Sequence, residues 1–453
     1  MSSLRRRAPV GAVAALAAAL VVTGCTSGAA PEADPTPSAS TEPEPTTSDP
    51  ITLRLAVSGD RPVRQAWEKL ATAFTNDRPE ITIEVEKSQS ADLAEDKLRE
   101  QIEAGDPPDV FTAGNELVPG LVGADQVVPV DQLLEERGVE FGDSYQRLGL
   151  EALSAEQALQ CMPYDVSPLV VFYNPGLVPF RRLIEPGDTP LTPMTGWTWE
   201  QFARAGRLVA ADGVNGAYVP PDLSVLMSLM RSAGDDIVDD PRDATSLTLS
   251  DDGNRAALEA ILAVVRDPEI NPSPEQLERR DAMQRFAREQ LGMIIGTKAL
   301  VPRLRKIDAF EFDIYPLPRL ARSMSVADVN AMCISTGSDD VEAAADLVAF
   351  ASNDKGAAIL AESGGIVPAH LPTINSVAFT QPGTAPESVL VFDNAVRRST
   401  VTPFVPGWPA IEDQVAGELG QMWYDPLLDL DALLPAVDEA SQRVLLPPEE
   451  PAS

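Results

Sequence analysis

Residues 51 to about 447 predict an α/β fold built on a parallel, doubly wound sheet and divided into two lobes or domains. Three observations predict it. The first part of this segment reads β-α-β-α-β by hydrophobic periodicity, which implies parallel strands joined by crossover helices. A second αβ region begins at about residue 165. The segment is also long for a single hydrophobic core.

The elements follow in chain order. Ile51, Leu53, Leu55 and Val57 alternate and predict a strand. Val63, Trp67, Leu70 and Phe74 recur at helical spacing and predict an amphipathic helix. "ITIEVE" (81–86) alternates again, and Leu98 and Ile102 place a helix on 92–104. "PDVFTA" (108–113) is a short strand, followed by "QVVPV" and "DQLLEERG". In the second region "SPLVVFYN" is an apolar strand. Thr198 and Gln201 in "WTWEQF" form a capping box for a helix carrying Phe202 and Val209. "LGMIIG" (291–296), "FEFDIYPL" (310–317) and "VNAMCIST" (329–336) are further strands. "DDVEAAADLVAFAS", "AIEDQVAGELGQMW" and "LDALLPAVDEASQRVL" read as helices.

The N-terminus has a different character. Arg5, Arg6 and Arg7 precede an uncharged run, 8–22, that is too short to span a bilayer. A basic start, a short apolar stretch and small residues at its end describe an export signal. Val22, Thr23, Gly24 and Cys25 resemble a bacterial lipobox, which makes 1–24 the signal and Cys25 the lipidated first residue of the mature chain. Residues 25–50 form a Pro/Ser/Thr-rich tether with almost nothing to bury. The protein is expected outside the cell, held at the outer face of the cytoplasmic membrane by lipid alone.

The chain carries 35 basic and 69 acidic residues, a formal charge of −34. That balance argues against nucleic acid and anionic membrane as partners. His370 is the only histidine, which leaves no two-His metal site; in "VPAHLP" it reads as a surface turn residue. The sequence has neither a nucleophile elbow, nor a phosphate loop, nor a calcium loop, and no cofactor is expected. Cys161 and Cys333 are an even pair in an oxidising compartment.

The ordered run of "ITLRLAVSGD", "PEITIEVE", "LREQIEAGDPPDVFTAGN", "VVPVDQLLEERG", "MPYDVSPLVVFYNPGLV", "GWTWEQFARAGRLV", "RFAREQLGMIIG", "IYPLPR" and "AADLVAFASNDKGAAILAESGGIVPAH" resembles the family 1 extracellular solute-binding proteins, the maltose-binding-protein-like, carbohydrate-capturing components of ABC importers. The resemblance implies a two-lobed periplasmic-binding-protein-like fold of type II, with a hinge and an inter-lobe cleft. Lobe 1 would comprise 51–161 plus 335–390, and lobe 2 would comprise 163–332 plus 391–447. It implies a non-catalytic, monomeric receptor that closes on a small carbohydrate and works with permease subunits. The competing class is a surface-anchored carbohydrate-active enzyme or another cell-envelope lipoprotein.

Sugar capture needs planar polar groups, an aromatic face and a cleft that excludes water. Candidates lie beyond strand ends: Gly59, Asp60 and Arg61 after the first strand, Asn115 and Glu116 after "PDVFTA". Asp165 near the first crossing, Tyr218 in "GAYVP" and Gly365 in "GGIVP" complete the polar set. Of the five tryptophans, Trp67, Trp199 and Trp423 read as packing. Trp408, in a Pro/Gly-rich loop, is the stacking candidate. After Gly296 the family commonly places a Trp nearby, whereas this chain continues Thr297, Lys298, Ala299. In the resembled fold the two crossing strands run side by side, so Cys161 and Cys333 are either a disulfide at the hinge or two buried thiols.

Overall fold

The computed structural model describes residues 50–184, 190–210 and 214–446. The export signal, Cys25 and nearly all of the tether lie outside the described residues. Within the described part the chain builds two large sheets, one in each lobe, and a separate two-stranded hairpin.

The first sheet grows from β1 (Ile51–Ser58). Its alternation places Leu53, Leu55 and Val57 wholly inside, because successive strand side chains point to opposite faces. The helix Arg61–Asp77 follows, with Pro62 in its first turn, where a missing N–H loses no helical bond. It buries Ala66, Trp67, Leu70, Ala71 and Phe74 on one stripe. Each large apolar side chain removed from water there contributes about 1.5–3 kcal/mol. The chain then forms β2 (Ile81–Ser88), the helix Ala91–Glu103 and β3 (Val110–Gly114). β1 pairs in parallel with both β2 and β3, the arrangement that crossover helices impose.

The rest of this sheet is mixed. β4 (Val127–Val128), the short hairpin β5 (Ser154–Ala155) and β6 (Ala158–Leu159), and then β7 (Met162–Pro168) lead towards the second lobe. Strand β8 (Val170–Tyr173) follows at once, and β9 (Asn215–Tyr218), β10 (Leu291–Gly296) and β11 (Asp313–Pro316) join it in the second sheet, ordered β11-β8-β10-β9. The chain returns through β12 (Ser325–Ser335), which runs antiparallel to β3, β4 and β7. Two residues of β13 (Ser399–Thr400) pair with its start. The parallel arrangement expected from the β-α-β-α-β start holds for β1, β2 and β3, and the complete sheet is mixed. The chain must leave one lobe and re-enter it, and the returning strand inserts in the opposite direction.

Three segments cross between lobes: the end of β7, the start of β12 and residues 399–402. They are stitched together locally. Leu169 N donates to Ser325 Oγ at 3.0 Å, and Ser325 N donates to the Arg398 carbonyl at 3.3 Å beside the pairing of β12 with β13.

The tryptophans organise the second core. Trp197 and Trp199 are buried and donate their indole N–H groups to the carbonyls of Pro316 and Ala260. Trp423 does the same to Val219. The capping box of Thr198 and Gln201 is formed, with both reciprocal bonds present. Cys161 and Cys333 are joined as a disulfide with Cα atoms 4.6 Å apart. The bond joins the residue just before β7 to β12, where Cys333 pairs with Phe111 of β3, at the far end of these strands from the crossing. His370 is not a surface residue: it is 8% exposed, its Nδ1 lies 2.9 Å from Thr373 Oγ1, and its ring packs against Tyr145.

Candidate functional site

A cavity of about 420 Å³ opens between the two sheets, beside the crossing segments. It draws residues from every element that ends there. Asn115 and Glu116 follow β3. Gly296 and Thr297 end β10, and Asp222 and Ser224 start the helix Leu223–Ala233. Asp328 and Thr402 come from the crossing segments, and Glu412 comes from the helix Trp408–Tyr424. A groove of about 820 Å³ near Tyr173 and Pro382 includes no crossing residue.

Asn115 is 4% exposed and fully occupied. Its Oδ1 accepts from Val329 N at 2.9 Å, and its Nδ2 donates to Thr402 Oγ1 at 2.8 Å. It therefore staples two crossing segments while lining the cavity. Glu116 is half-buried and folds back over the space left by Gly114, where a Cβ would meet its carboxylate. Burial, then the charge of Glu95, raises its pKa. Asp222 caps its helix by accepting from Val225 N at 3.1 Å. Glu412 accepts from the Trp408 indole N–H at 2.9 Å, but burial and the charges of Glu116 and Asp222 push its pKa up to about 7.

Asp328 points from β12 into the open cavity and is exposed there. The surrounding protein, and then the carboxylates Glu116, Asp165, Asp222 and Glu412, raise its pKa above the ordinary carboxylate range.

Of the residues singled out from sequence, Asn115 and Glu116 line the cavity; the others sit around it. Gly59 takes φ +123° after β1, and Asp60 and Arg61 start the next helix away from the cavity wall. Asp165 is 5% exposed and accepts from Ser167 Oγ, Val367 N and Asn330 Nδ2. It ties β7 to β12 and to the turn before Val367, and burial raises its pKa to about 6. Tyr218 is half-buried behind Asp222, with its pKa raised mainly by burial. Gly365 packs between Val63 and Pro302, where a Cβ would be 3.1 and 3.2 Å from their carbons.

Trp408 requires a correction. Its ring is 0% exposed and belongs to the second core, so neither face is open for stacking. It is the first residue of a helix that buries Trp408, Ile411, Val415, Leu419 and Met422. That spacing of three and four was present in the sequence and outweighs the Pro/Gly loop preceding it.

Sequence reasoning missed Asp222, Ser224, Thr297, Asp328, Thr402 and Glu412. Thr297 had a signal, because it follows the strand "LGMIIG" as Asn115 follows β3. Asp222 had one too, as an Asp three residues before Val225 at a helix start.

Residues 59–358 match the family described as bacterial extracellular solute-binding protein. The chain belongs to that family. Solved structures of similar fold include the ABC substrate-binding protein Lmo0181 of Listeria monocytogenes, in complex with cycloalternan, at 19% identity, TM-score 0.76, covering 87% of this chain and 99% of that one. A solute-binding protein of Thermotoga lettingae bound with α-D-tagatose gives 17% identity and TM-score 0.71, over 87% and 100% of the two chains. A cyclic α-maltosyl-1,6-maltose binding protein of Arthrobacter globiformis gives 17% identity and TM-score 0.70, over 87% and 99%. No curated protein matches the chain. The solute-binding protein thus has a two-lobed architecture, and its inter-lobe cavity is the candidate solute site. Among the described residues no helix is long and apolar enough to cross a membrane.

Proposed function

We propose that this solute-binding protein captures a sugar or oligosaccharide between its lobes by hinge closure and delivers it to the permease subunits of an ABC importer, without catalysing any reaction on it. The observation that carries the reading is the cavity beside the three crossing segments, which mixes lining from both lobes with hydroxyl and carboxylate groups suited to sugar hydroxyls. The ligands named for the fold neighbours are carbohydrates, which supports the same class. The lobe bounds expected from the sequence, 51–161 plus 335–390 and 163–332 plus 391–447, are moved to the crossings at the end of β7, the start of β12 and residues 399–402, and the receptor acts as a monomer held outside the cell by lipid on Cys25.

Two experiments test this. The purified full chain is screened by thermal shift against sugars, polyols and oligosaccharides. One component is expected to raise the melting temperature and to be recovered intact, since a ligand binding only the folded state stabilises it. Cleavage of the oligosaccharides overturns the receptor reading in favour of an envelope enzyme. Replacing Cys25 with Ala is expected to release the protein to the medium or block processing. Unchanged membrane retention of a fully processed chain rejects the anchor.

A further inference from the structure

We propose that the solute held between the lobes is a positively charged, amine-bearing polyhydroxylated molecule of the amino-sugar class. This rests on the sugar-capture reading above and narrows it.

Four carboxylates face one cavity: Glu116, Asp222, Asp328 and Glu412. They arrive from the end of β3, from the start of the helix Leu223–Ala233, from β12 and from the helix Trp408–Tyr424. Among the described residues neither a lysine, an arginine nor the histidine lines that cavity. The neighbouring cation in sequence is turned away. Lys298 directly follows the lining residue Thr297, yet it is wholly buried, donates from Nζ to the Gly364 carbonyl at 2.7 Å and sits 5.0 Å from the Phe379 ring centre.

Among the described residues none of these carboxylates has a cationic partner, and only Asp222 and Glu412 accept an N–H from another residue, Val225 and Trp408 respectively. Asp328 accepts no hydrogen bond among the described residues, and like charge surrounds it: Glu116 from one lobe, Asp222 and Glu412 from the other, and Asp165 behind it on β7. Glu412 receives one N–H, from Trp408, against the charges of Glu116, Asp222 and Asp413. Like charges that share one cavity without a counter-charge oppose one another. Glu116 stands on one lobe and Asp222 and Glu412 stand on the other, so hinge closure over a neutral ligand gathers charge that nothing cancels. An ammonium group on the ligand cancels it and forms charge-assisted hydrogen bonds with the same oxygens.

Two further features point the same way. Among the described residues no aromatic ring lines the cavity, so none of them offers a stacking face to the apolar side of a neutral sugar there. Among the described residues no group of three or more His, Cys, Asp or Glu is placed to hold a metal ion. The hydroxyls of Ser224 and Thr297 remain to meet the hydroxyls of such a ligand.

The test compares the glucosamine trimer with cellotriose, which keeps the ring and the β-1,4 linkage and replaces each amine by a hydroxyl. Calorimetry on the full chain near neutral pH is expected to give binding of the glucosamine trimer tighter by about tenfold or more, with the gap shrinking as salt is added. Asp328→Asn and Glu412→Gln are each expected to narrow the gap while leaving thermal unfolding of the unliganded chain cooperative. The salt series on the unaltered chain tests the same charge pairing without any substitution. Cellotriose binding as tightly as the amine, or tighter, overturns this inference and leaves sugar capture standing. A preference for the amine that is insensitive both to salt and to the two variants also overturns it. Binding of neither trimer counts against sugar capture itself and removes the inference with it.

Discussion

Lys298 Nζ lies 2.7 Å from the carbonyl oxygen of Gly364, and this bond joins the turn after β10 in one lobe to the turn after the helix Asp354–Ala361 in the other. The side chain is 0% exposed, lies within cation–π reach of Phe379 and Phe392, and has its pKa lowered to about 7 by burial and by Arg305. The unfolded chain keeps this lysine charged up to an ordinary lysine pKa of about 10.4. Between about pH 7 and pH 10 the unfolded state therefore binds more protons than the folded one, and stability rises with pH on this residue's account. Lys298→Met should flatten that rise in urea titrations. An unchanged slope would show that the ammonium is not desolvated as the contacts require.

Two carboxylates, Glu412 in the cavity wall and Asp165 beside it, have the opposite sign. Asp165 and Glu412 have folded pKa values raised to about 6 and about 7, so between about pH 4 and those values the folded state binds more protons than the unfolded state. Their contribution is fully present below about pH 4 and is lost as pH rises through 6 to 7. Glu412→Gln should remove part of this fall in the unliganded chain, measured as melting temperature against pH. Equal pH profiles for variant and parent would sink the assignment.

Trp408→Ala should destabilise the chain by about 3–5 kcal/mol, the range for emptying a large aromatic site in a core. Urea denaturation measures it. Affinity loss at parental stability would return Trp408 to the role of a ligand-stacking ring.

The disulfide between Cys161 and Cys333 closes a sequence separation of 172 residues. The chain-entropy treatment gives on the order of 5 kcal/mol for a loop of that length. In a Cys25→Ser background the denatured chain should show no reactive thiol before reduction and two afterwards. Two thiols without reductant would place the pair in the reduced state.

How much could be read in advance differs between elements and site. β10 was legible to the residue, because "LGMIIG" is an apolar run bounded by Gln290 and Thr297. β12 extends further back than expected, from Ser325, since its first residues are held by Ser228 and Leu169 rather than by their own pattern. Asn115 and Glu116 were found because strand ends in α/β sheets face the crevice. Asp328 was not found, because within "SVADVN" it is only the polar member of an alternating strand.

The sequence by itself determined the order of strands and helices, the helix caps and the apolar stripes that each element buries. Those properties depend on neighbours within a few residues, where the periods of strand and helix are written directly. Only the tertiary structure decided that Trp408 turns inward, that the disulfide sits at the far end of its strands from the crossing, and that Glu116, Asp222, Asp328 and Glu412 share a cavity. These residues are separated by long stretches of chain, and periodicity tells which side of its own element a residue occupies, not which element arrives to face it. Their meeting is set by where three crossing segments and four element ends converge, and their charges oppose one another only once they share that space.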